Sequence, residues 1–486
     1  MTNATAKRLD VPIMGWTWQE VIDSTGAAGS LPPWTSFVEI STDSRRLADG
    51  CLFVALRGLR HDGHAFALGA LRNGAAAVMV EELPRGVDAA RALFVPDTLR
   101  ALGDLAAYTR RRKPLRVVGI TGSNGKTTTK EMIAAICEQA HFPPPHDAVL
   151  KTKGNENNLI GLPLTLLRLT GNEAVAVLEM GMNAPGEIAR LTQIAAPDVG
   201  VVTNVGPAHL EGLGSVEGVA RAKGELFATM TENGTIAVNM DDERVVRIAA
   251  DFRGRRIEFG AGREVSAGAI RDLGFDGVAF DLHVAGRHQM IRLRMSGAHN
   301  VTNATAAAAA AHGLGLDLET IHAGLELAVA PSMRMQVVRL ANGRTVVNDA
   351  YNANPASMAA ALRAVGRHAG RSIAVLGEMR ELGPDAAALH REVGRCAAES
   401  GVRILVAVGP LADDTAAGAR EAERTDMDVH VCSDAKSAAR LITSLWQPGD
   451  AILVKGSRGA DGEAGVRLYG ARMAEVVALL EEAGGT

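Results

Sequence analysis

Short apolar runs and longer amphipathic stretches alternate along most of this chain. From about residue 116 the runs RVVGI, AVAVLEM, DVGVVTNV and GTIAVNM are separated by segments in which apolar residues recur at helical spacing. Continuous aliphatic runs of this length read as buried strands, and the 3.6-residue recurrence between them reads as helices. The alternation predicts a mostly parallel sheet covered by helices. Beyond AVAPSMRM the pattern begins again with RTVVNDAY, RSIAVLGEM, RILVAVG and AILVKGS, which predicts a second α/β unit. The first 110 residues read as a smaller α/β unit of their own. The basic, Pro-containing TRRRKP (109–114) and VAPSM (329–333) mark junctions, because Pro disfavours helix continuation and charged linkers stay solvated. The expected organisation is α/β with three domains: residues 1–112, 113–330 and 331–486.

Length and composition narrow the class. A chain of 486 residues with 47% hydrophobic content can fill several cores. A net charge of -4 and 3% aromatic residues argue against nucleic acid as a partner, which calls for a basic surface and stacking platforms. Cys51, Cys137, Cys396 and Cys432 lie far apart with no C-x-x-C pair, so neither a zinc site nor a disulfide framework is expected. No leader-like segment and no run of 18 apolar residues is present; the Ala-rich TAAAAAAHGLG is too short to cross a bilayer. The expectation is a cytoplasmic protein acting on small molecules as a monomer, with no membrane partner.

The sharpest motif is GITGSNGKTTTKEM, which runs from an apolar strand through a glycine-rich turn into a helix. Gly122 and Gly125, with Ser123 and Asn124 between them, free the backbone to turn N–H groups toward an anion. Lys126 can then reach terminal phosphates, while Thr127 offers a hydroxyl to Mg2+ beside Thr128 at a positive helix end. The spacing departs from G-x-x-x-x-G-K-[ST], since Ile120 stands where the first glycine belongs. The competing reading is a plain glycine-rich turn.

Other polar residues gather at strand ends, where open α/β sheets bind ligands. AVAVLEMGMN ends a strand with Glu179, a candidate Mg2+ ligand, and VVTNVGPAHLEGLGS ends another with Asn204 and His209. A strand cap and a local turn bond are the bland readings of Glu179 and His209. SVEGVARAKGELF reads as a helix with Ala220, Lys223 and Phe227 on one face, where Lys223 by default is a solvated lysine. In SGAHNVTNATA, His299, Asn300 and Asn303 open a helix; Asn300 suits an N-cap, and two amides three residues apart can also read the edge of a base. VVNDAYNANPASM places Asp349, Tyr351, Asn352 and Asn354 after a strand, and GEMRELG and LVKGSRG end two more. In STDSRRLADG, Asp43, Ser44 and Arg45 can hold a phosphate or polar ring, or form only an exposed turn.

These strings, with KTKGNENNLIGLPLTLLRL, GAHNVTNATAA, DAYNANPASM, LGEMRELG and VKGSR in the same order, resemble the Mur ligases of bacterial cell-wall synthesis across essentially the whole chain. The resemblance implies a small N-terminal UDP-binding domain, a central P-loop ATPase and a C-terminal Rossmann-like domain. It implies ATP and Mg2+ as cofactors, with UDP-N-acetylmuramoyl-tripeptide and D-alanyl-D-alanine as substrates joined through an acyl phosphate. By position, Lys126 and the Gly122–Gly125 loop would hold the ATP phosphates, with Thr127 and Glu179 on one Mg2+. Lys223 corresponds to a family lysine that can be carbamylated to serve a second Mg2+ with His209. Asn300 and Asn303 match positions near adenine, and Arg334, Asp349 and Tyr351 match residues that close over the nucleotide by hinge motion. Asp43, Ser44 and Arg45 match the UDP-recognition turn, and Asn155, Asn157 and Asn158 match a loop that meets the muramoyl peptide. APSMRMQ departs from the usual hinge, and ADGEAGVRLYG after KGSRG has no assigned counterpart.

Three alternatives stay open at this point. A diamino-acid-adding Mur ligase shares the UDP turn, and AYNANPASM and GEMRELG tilt the reading toward the dipeptide. A folylpolyglutamate synthase shares the acyl-phosphate plan, but TDSRRLADGCLFVAL favours a UDP-sugar substrate. A P-loop switch has no need of the Glu179, His209 and Lys223 cluster.

Overall fold

All eight apolar runs form strands in the structure, a computed structural model that describes residues 15–32, 35–58, 61–207, 210–341, 343–422, 426–457 and 473–485. His209 and the ADGEAGVRLYG segment lie outside the described residues. Contacts divide the chain into two units, one of Met1–Leu115, Phe142–Met180 and Arg190–Ala196, the other of Arg116–His141, Gly181–Ala189 and Pro197–Thr486.

In the first unit, Ile40–Ser41, Leu52–Val54, Ala77–Val80 and Ala92–Phe94 form a four-stranded parallel sheet in that order. Cys51, Phe53, Val78, Val80 and Leu71 pack a small core against it. The helix Thr98–Arg111 begins at Asp97, whose carboxylate accepts from the Arg100 N–H. This helix differs from the solvated linker expected at TRRRKP. It continues through Arg111, and Arg110 donates from Nε to the carbonyl of Ala195 at 3.1 Å, so the basic run is anchored by its side chains. In the same unit, Ala148–Lys151 pairs in parallel with Glu173–Glu179.

Seven strands of the second unit lie in the order Arg287–Leu293, Val278–Val284, Val265–Asp272, Arg255–Phe259, Thr235–Asn239, Val199–Val202 and Arg116–Thr121. The last four are parallel, and the last three of them are almost wholly buried, as expected of strands covered on both faces. The first three extend the sheet with antiparallel pairings. Polar, partly or fully exposed positions interrupt their apolar residues, so they show no continuous apolar run in sequence. A six-stranded sheet follows, in the order Gln336–Arg339, Thr345–Asp349, Ala451–Lys455, Ser372–Leu376, Ile404–Val408 and Asp428–Cys432, with only the first strand antiparallel. Separate apolar clusters, around Ile373, Val406 and Ile452 and around Val347, Leu405 and Leu453, cover its two faces. Among the described residues no helix is long and apolar enough to cross a membrane.

Candidate nucleotide and ligation site

The strand Arg116–Thr121 delivers the chain into a turn that only glycine can make. Gly122 has φ 151° and a Cβ there would collide with the Thr203 hydroxyl; Gly125 has φ 80° and a Cβ there would collide with Oδ1 of Asn303. Between them the backbone is tied to the loop after Val199–Val202. Ser123 N–H donates to the Asn204 carbonyl at 2.9 Å, Asn124 N–H donates to Oδ1 of Asn204 at 2.9 Å, and Asn204 Nδ2 returns to the Asn124 carbonyl at 3.1 Å. Thr203 Oγ1 donates to the same carbonyl at 2.6 Å. The helix Lys126–Gln139 starts immediately after Gly125, with Lys126 Nζ donating to the Gly122 carbonyl at 2.8 Å. A lysine folded back over a glycine-rich loop at a helix start has the make-up of a phosphate cradle, with the helix's own first N–H groups as its donors. Thr127 and Thr128 are buried in the first turn.

Lys223 departs from the solvated lysine expected of its helix. The helix Val216–Thr229 is present, capped by Ser215, and Ala220 and Phe227 are buried on it as the spacing required. Lys223 itself is 2% exposed. Burial, with the nearby positive charge of Lys126, holds its amine well below the ordinary lysine range. The periodicity that buries Ala220 and Phe227 carries Lys223 inward with them, and a neutral amine is the form that tolerates such a site.

Asn300 and Asn303 are buried on the helix His299–Gly313. Asn300 is inside the helix rather than at its cap: its Nδ2 donates to the Ser296 carbonyl at 2.8 Å, and its Oδ1 accepts from Asn303 Nδ2 at 3.0 Å. The N-cap position is Ala298, with no side-chain cap bond. Asn303 thereby brings its own oxygen against Gly125.

At the start of the six-stranded sheet, Asp349 and Lys455 stand opposite each other at the C-terminal ends of neighbouring parallel strands. Both are buried, with Nζ 2.6 Å from Oδ2. The other Asp349 oxygen accepts from the Met335 N–H at 3.0 Å, and Lys455 also donates to the Asn352 carbonyl at 3.0 Å. The pair therefore pins the Met333–Met335 turn, whose Met333 and Met335 both have left-handed backbone. Arg334 between them lays its guanidinium over the Tyr351 ring at 4.2 Å, and its buried Nε has no hydrogen-bond partner among the described residues. Lys455 was not singled out in the sequence, although its place at the end of AILVKGS was visible. Its partner became evident only with strand order.

The first unit holds the remaining candidates. Asp43 takes Nε and Nη2 of Arg45 at 2.8 and 2.9 Å and also the Arg45 N–H at 3.0 Å. Those bonds hold the Asp43 carboxyl at about 2. Ser44 lies at the apex of this turn. Glu179, 2% exposed, ends its strand with its carboxylate 2.9 Å from Nδ2 of Asn157. Asn158 Oδ1 accepts from the Ile160 and Gly161 N–H groups, so it starts the helix Gly161–Leu166, and Asn155 is exposed nearby. The structure thus groups Asn157 with Glu179 and, separately, the glycine loop with Asn303. Among the described residues no cluster of three His, Cys, Asp or Glu side chains is arranged to hold a metal ion.

Comparison with known proteins places these features in one family. Residues 36–110 match the Mur ligase family catalytic domain, 120–311 the Mur ligase middle domain and 333–458 the Mur ligase glutamate ligase domain. The UDP-N-acetylmuramoyl-tripeptide--D-alanyl-D-alanine ligase of Escherichia coli (strain K12) is 39% identical over 435 residues, covering 88% of this chain and 92% of that one. Crystal structure I of MurF from Acinetobacter baumannii superposes with a TM-score of 0.86 at 34% identity, over 97% of this chain and 100% of that one. The Thermotoga maritima MurF ligase in complex with ADP gives 0.79 at 28% identity, over 92% and 97%. With three family domains in order and end-to-end identity of this size, the chain belongs to the Mur ligase family.

Proposed function

We propose that this chain is an ATP-dependent ligase that joins D-alanyl-D-alanine to UDP-N-acetylmuramoyl-tripeptide in peptidoglycan precursor synthesis. The observation that carries the reading is the end-to-end similarity to ligases of that name, from both curated relatives and solved structures. The glycine loop with Lys126 supports the nucleotide part, and a related structure holds ADP. A carboxylate is a poor electrophile at neutral pH. In the proposed reaction its oxygen takes the γ-phosphoryl group and ADP leaves; the dipeptide amine then attacks the acyl carbon, loses a proton, and the tetrahedral intermediate expels phosphate.

The chain's own groups divide that work. Ser123 and Asn124, with their N–H groups bonded to Asn204, fix the shape of the loop; the Gly125 N–H and those at the start of the Lys126–Gln139 helix, with Lys126 Nζ, would hold phosphate oxygens and offset the charge that builds on them. Asn300 and Asn303 lie toward adenine, and Arg334, Asp349 and Tyr351 close on the nucleotide; the partnerless Nε of Arg334 is a donor that a bound nucleotide can satisfy. Asp43, Ser44 and Arg45 take the UDP part, and Asn155, Asn157 and Asn158 the muramoyl peptide. Thr127 and Glu179 would hold one Mg2+, and Lys223 with His209 a second. The buried amine of Lys223, which burial makes easier to deprotonate, suits this, because the neutral form can add to CO2 and release a proton, leaving a carbamate anion in place of a cation. Bound Mg2+ neutralises phosphate oxygens. The proposed domains are residues 1–112, 113–330 and 331–486, in a cytoplasmic monomer.

Phosphate release from Mg-ATP and UDP-N-acetylmuramoyl-tripeptide tests the reading, with D-alanyl-D-alanine in one reaction and diaminopimelate or lysine in others. Release only with the dipeptide supports it. Stimulation by a diamino acid with the shorter precursor would move the chain to a different step, and release indifferent to any amine would overturn the ligase reading.

A further inference from the structure

The residue at the head of the helix Pro355–Gly366 bonds in two directions. Asn354 is its N-cap: Oδ1 accepts from the Ser357 N–H at 2.9 Å, and Ser357 Oγ accepts in return from the Asn354 N–H at 3.1 Å. That leaves the Asn354 amide nitrogen unused by the cap. It donates instead to Oδ1 of Asn124, 230 residues earlier, at 2.8 Å. Asn124 is one of the two residues between Gly122 and Gly125, and its backbone N–H and carbonyl are already fixed by Asn204 and Thr203. Its side-chain oxygen has Asn354 as its partner in the described structure.

A cap needs only an acceptor, and Ser, Thr or Asp would supply one as well as Asn. The donor is what distinguishes Asn here, and it is spent on the phosphate loop. We propose that Asn354 is a positioning residue for nucleotide binding, holding the glycine loop in its phosphate-ready shape from the head of the Pro355–Gly366 helix. The Asn354 amide ties the loop to this helix. A ligand that favours the loop's bound shape then favours the docked helix by the same factor. The inference rests on the reading of that loop as an ATP cradle, and deepens it by adding a residue from the later α/β unit.

Two substitutions separate cap from donor. Asn354→Ser keeps a good cap but is too short to reach Asn124. Asn354→Asp keeps the cap and places a negative charge facing the loop. ADP and ATP affinity, measured by calorimetry on the full chain with Mg2+, is read beside the thermal midpoint without nucleotide. The expected result is an unchanged midpoint, nucleotide binding weakened about fivefold in Asn354→Ser, the size of one ordinary hydrogen bond, and weakened further in Asn354→Asp. Asn124→Ala is expected to weaken binding similarly, and Asn124→Ala with Asn354→Ser no more than either alone. Wild-type affinity in Asn354→Ser, or fully additive effects in the double variant, would overturn the inference. A lowered midpoint with unchanged affinity would reduce Asn354 to a cap. Because binding is measured without the dipeptide, a failed ligase assay with normal ADP binding would sink the ligation reading and leave this one standing.

Discussion

The glycine loop and the Asp43–Arg45 turn are both read as holding phosphate, yet they are built in opposite ways. The loop is set into buried structure: its backbone is fixed by Asn204 and Thr203, its two glycines have no room for a Cβ, and Lys126 is already folded back over it. The turn is exposed and satisfied by itself, with Arg45 forked onto Asp43 and its side chain 85% accessible. Rigid donors aimed at a developing charge act without reorganising, which is what a phosphoryl-transfer centre requires. A self-paired turn must give up its internal bonds to take a ligand, which suits a group that is recognised and released unchanged. The contrast suits the proposed division, with chemistry at one region and recognition at the other, and on that reading substitutions in each should differ in kind as well as in size.

The largest effect is expected at Lys126. Lys126→Ala should lower the rate of phosphate release by about 10³-fold, the upper range for loss of one preorganised donor, while the thermal midpoint moves little. Steady-state phosphate release beside a melting curve checks both halves; a change of less than about tenfold would remove Lys126 from the chemistry. Gly125→Ala comes next and should fail differently. A left-handed backbone costs a non-glycine residue about 1–2 kcal/mol, and the added Cβ displaces Asn303, so stability and ATP binding should fall together. If Gly125→Ala melts as the wild type and binds ATP normally, the loop is less tightly set than the geometry implies.

The strand runs, the glycine loop and the helix carrying Lys223 were all legible in the sequence, because each rests on local pattern. What the sequence hid depends on pairing across distance. Lys455 meets Asp349 only because their strands lie side by side in register, and Asn354 meets Asn124 across 230 residues. The antiparallel strands escaped because polar or exposed positions such as Asp281, His283 and Arg292 break up the apolar run. Lys223 was placed on the right helix, but spacing alone gave it a solvated default that the packing replaces. Lysine is almost always solvated, and only the packing of that helix face shows otherwise. The bland reading of Asn300 as a cap does not hold, since the helix starts just before it and its amide turns back to Ser296 instead.

Lys223 extends the contrast into pH dependence. Its folded value lies well below the ordinary 10.5. Between those two values the unfolded chain binds a proton that the folded chain does not, so stability rises with pH across that window; below the folded value both states are charged and the penalty is constant. Lys223→Met removes the buried titrating amine, and should flatten this slope and raise stability at neutral pH, with turnover reduced about 10²-fold if the lysine serves the phosphate centre. Urea unfolding of CO2-depleted protein at several pH values reads the slope. Turnover restored to depleted wild type by bicarbonate, but not to the variant, would tie the loss to the carbamate. Equal slopes for the two proteins would show that Lys223 is not a neutral amine in the fold.

The smallest effect belongs to the turn. Arg45→Ala should raise KM for the UDP substrate by about three- to tenfold, the scale of one solvent-facing charged hydrogen bond, with kcat and the thermal midpoint unchanged. Arg45→Lys should fall between, since an ammonium keeps the charge but lacks the fork that fits a diphosphate. Asp43 titrates far from the working range: its folded value near 2 lies below its usual 3.8, so whatever stability it adds is present above 3.8 and lost only as pH falls through about 2. KM for the UDP substrate should accordingly show no step from Asp43 between pH 5 and 9, measured at constant ionic strength. A kcat loss in Arg45→Ala as large as that from Lys126→Ala would erase the difference between the two regions, because it would mean that the exposed turn also takes part in phosphoryl transfer.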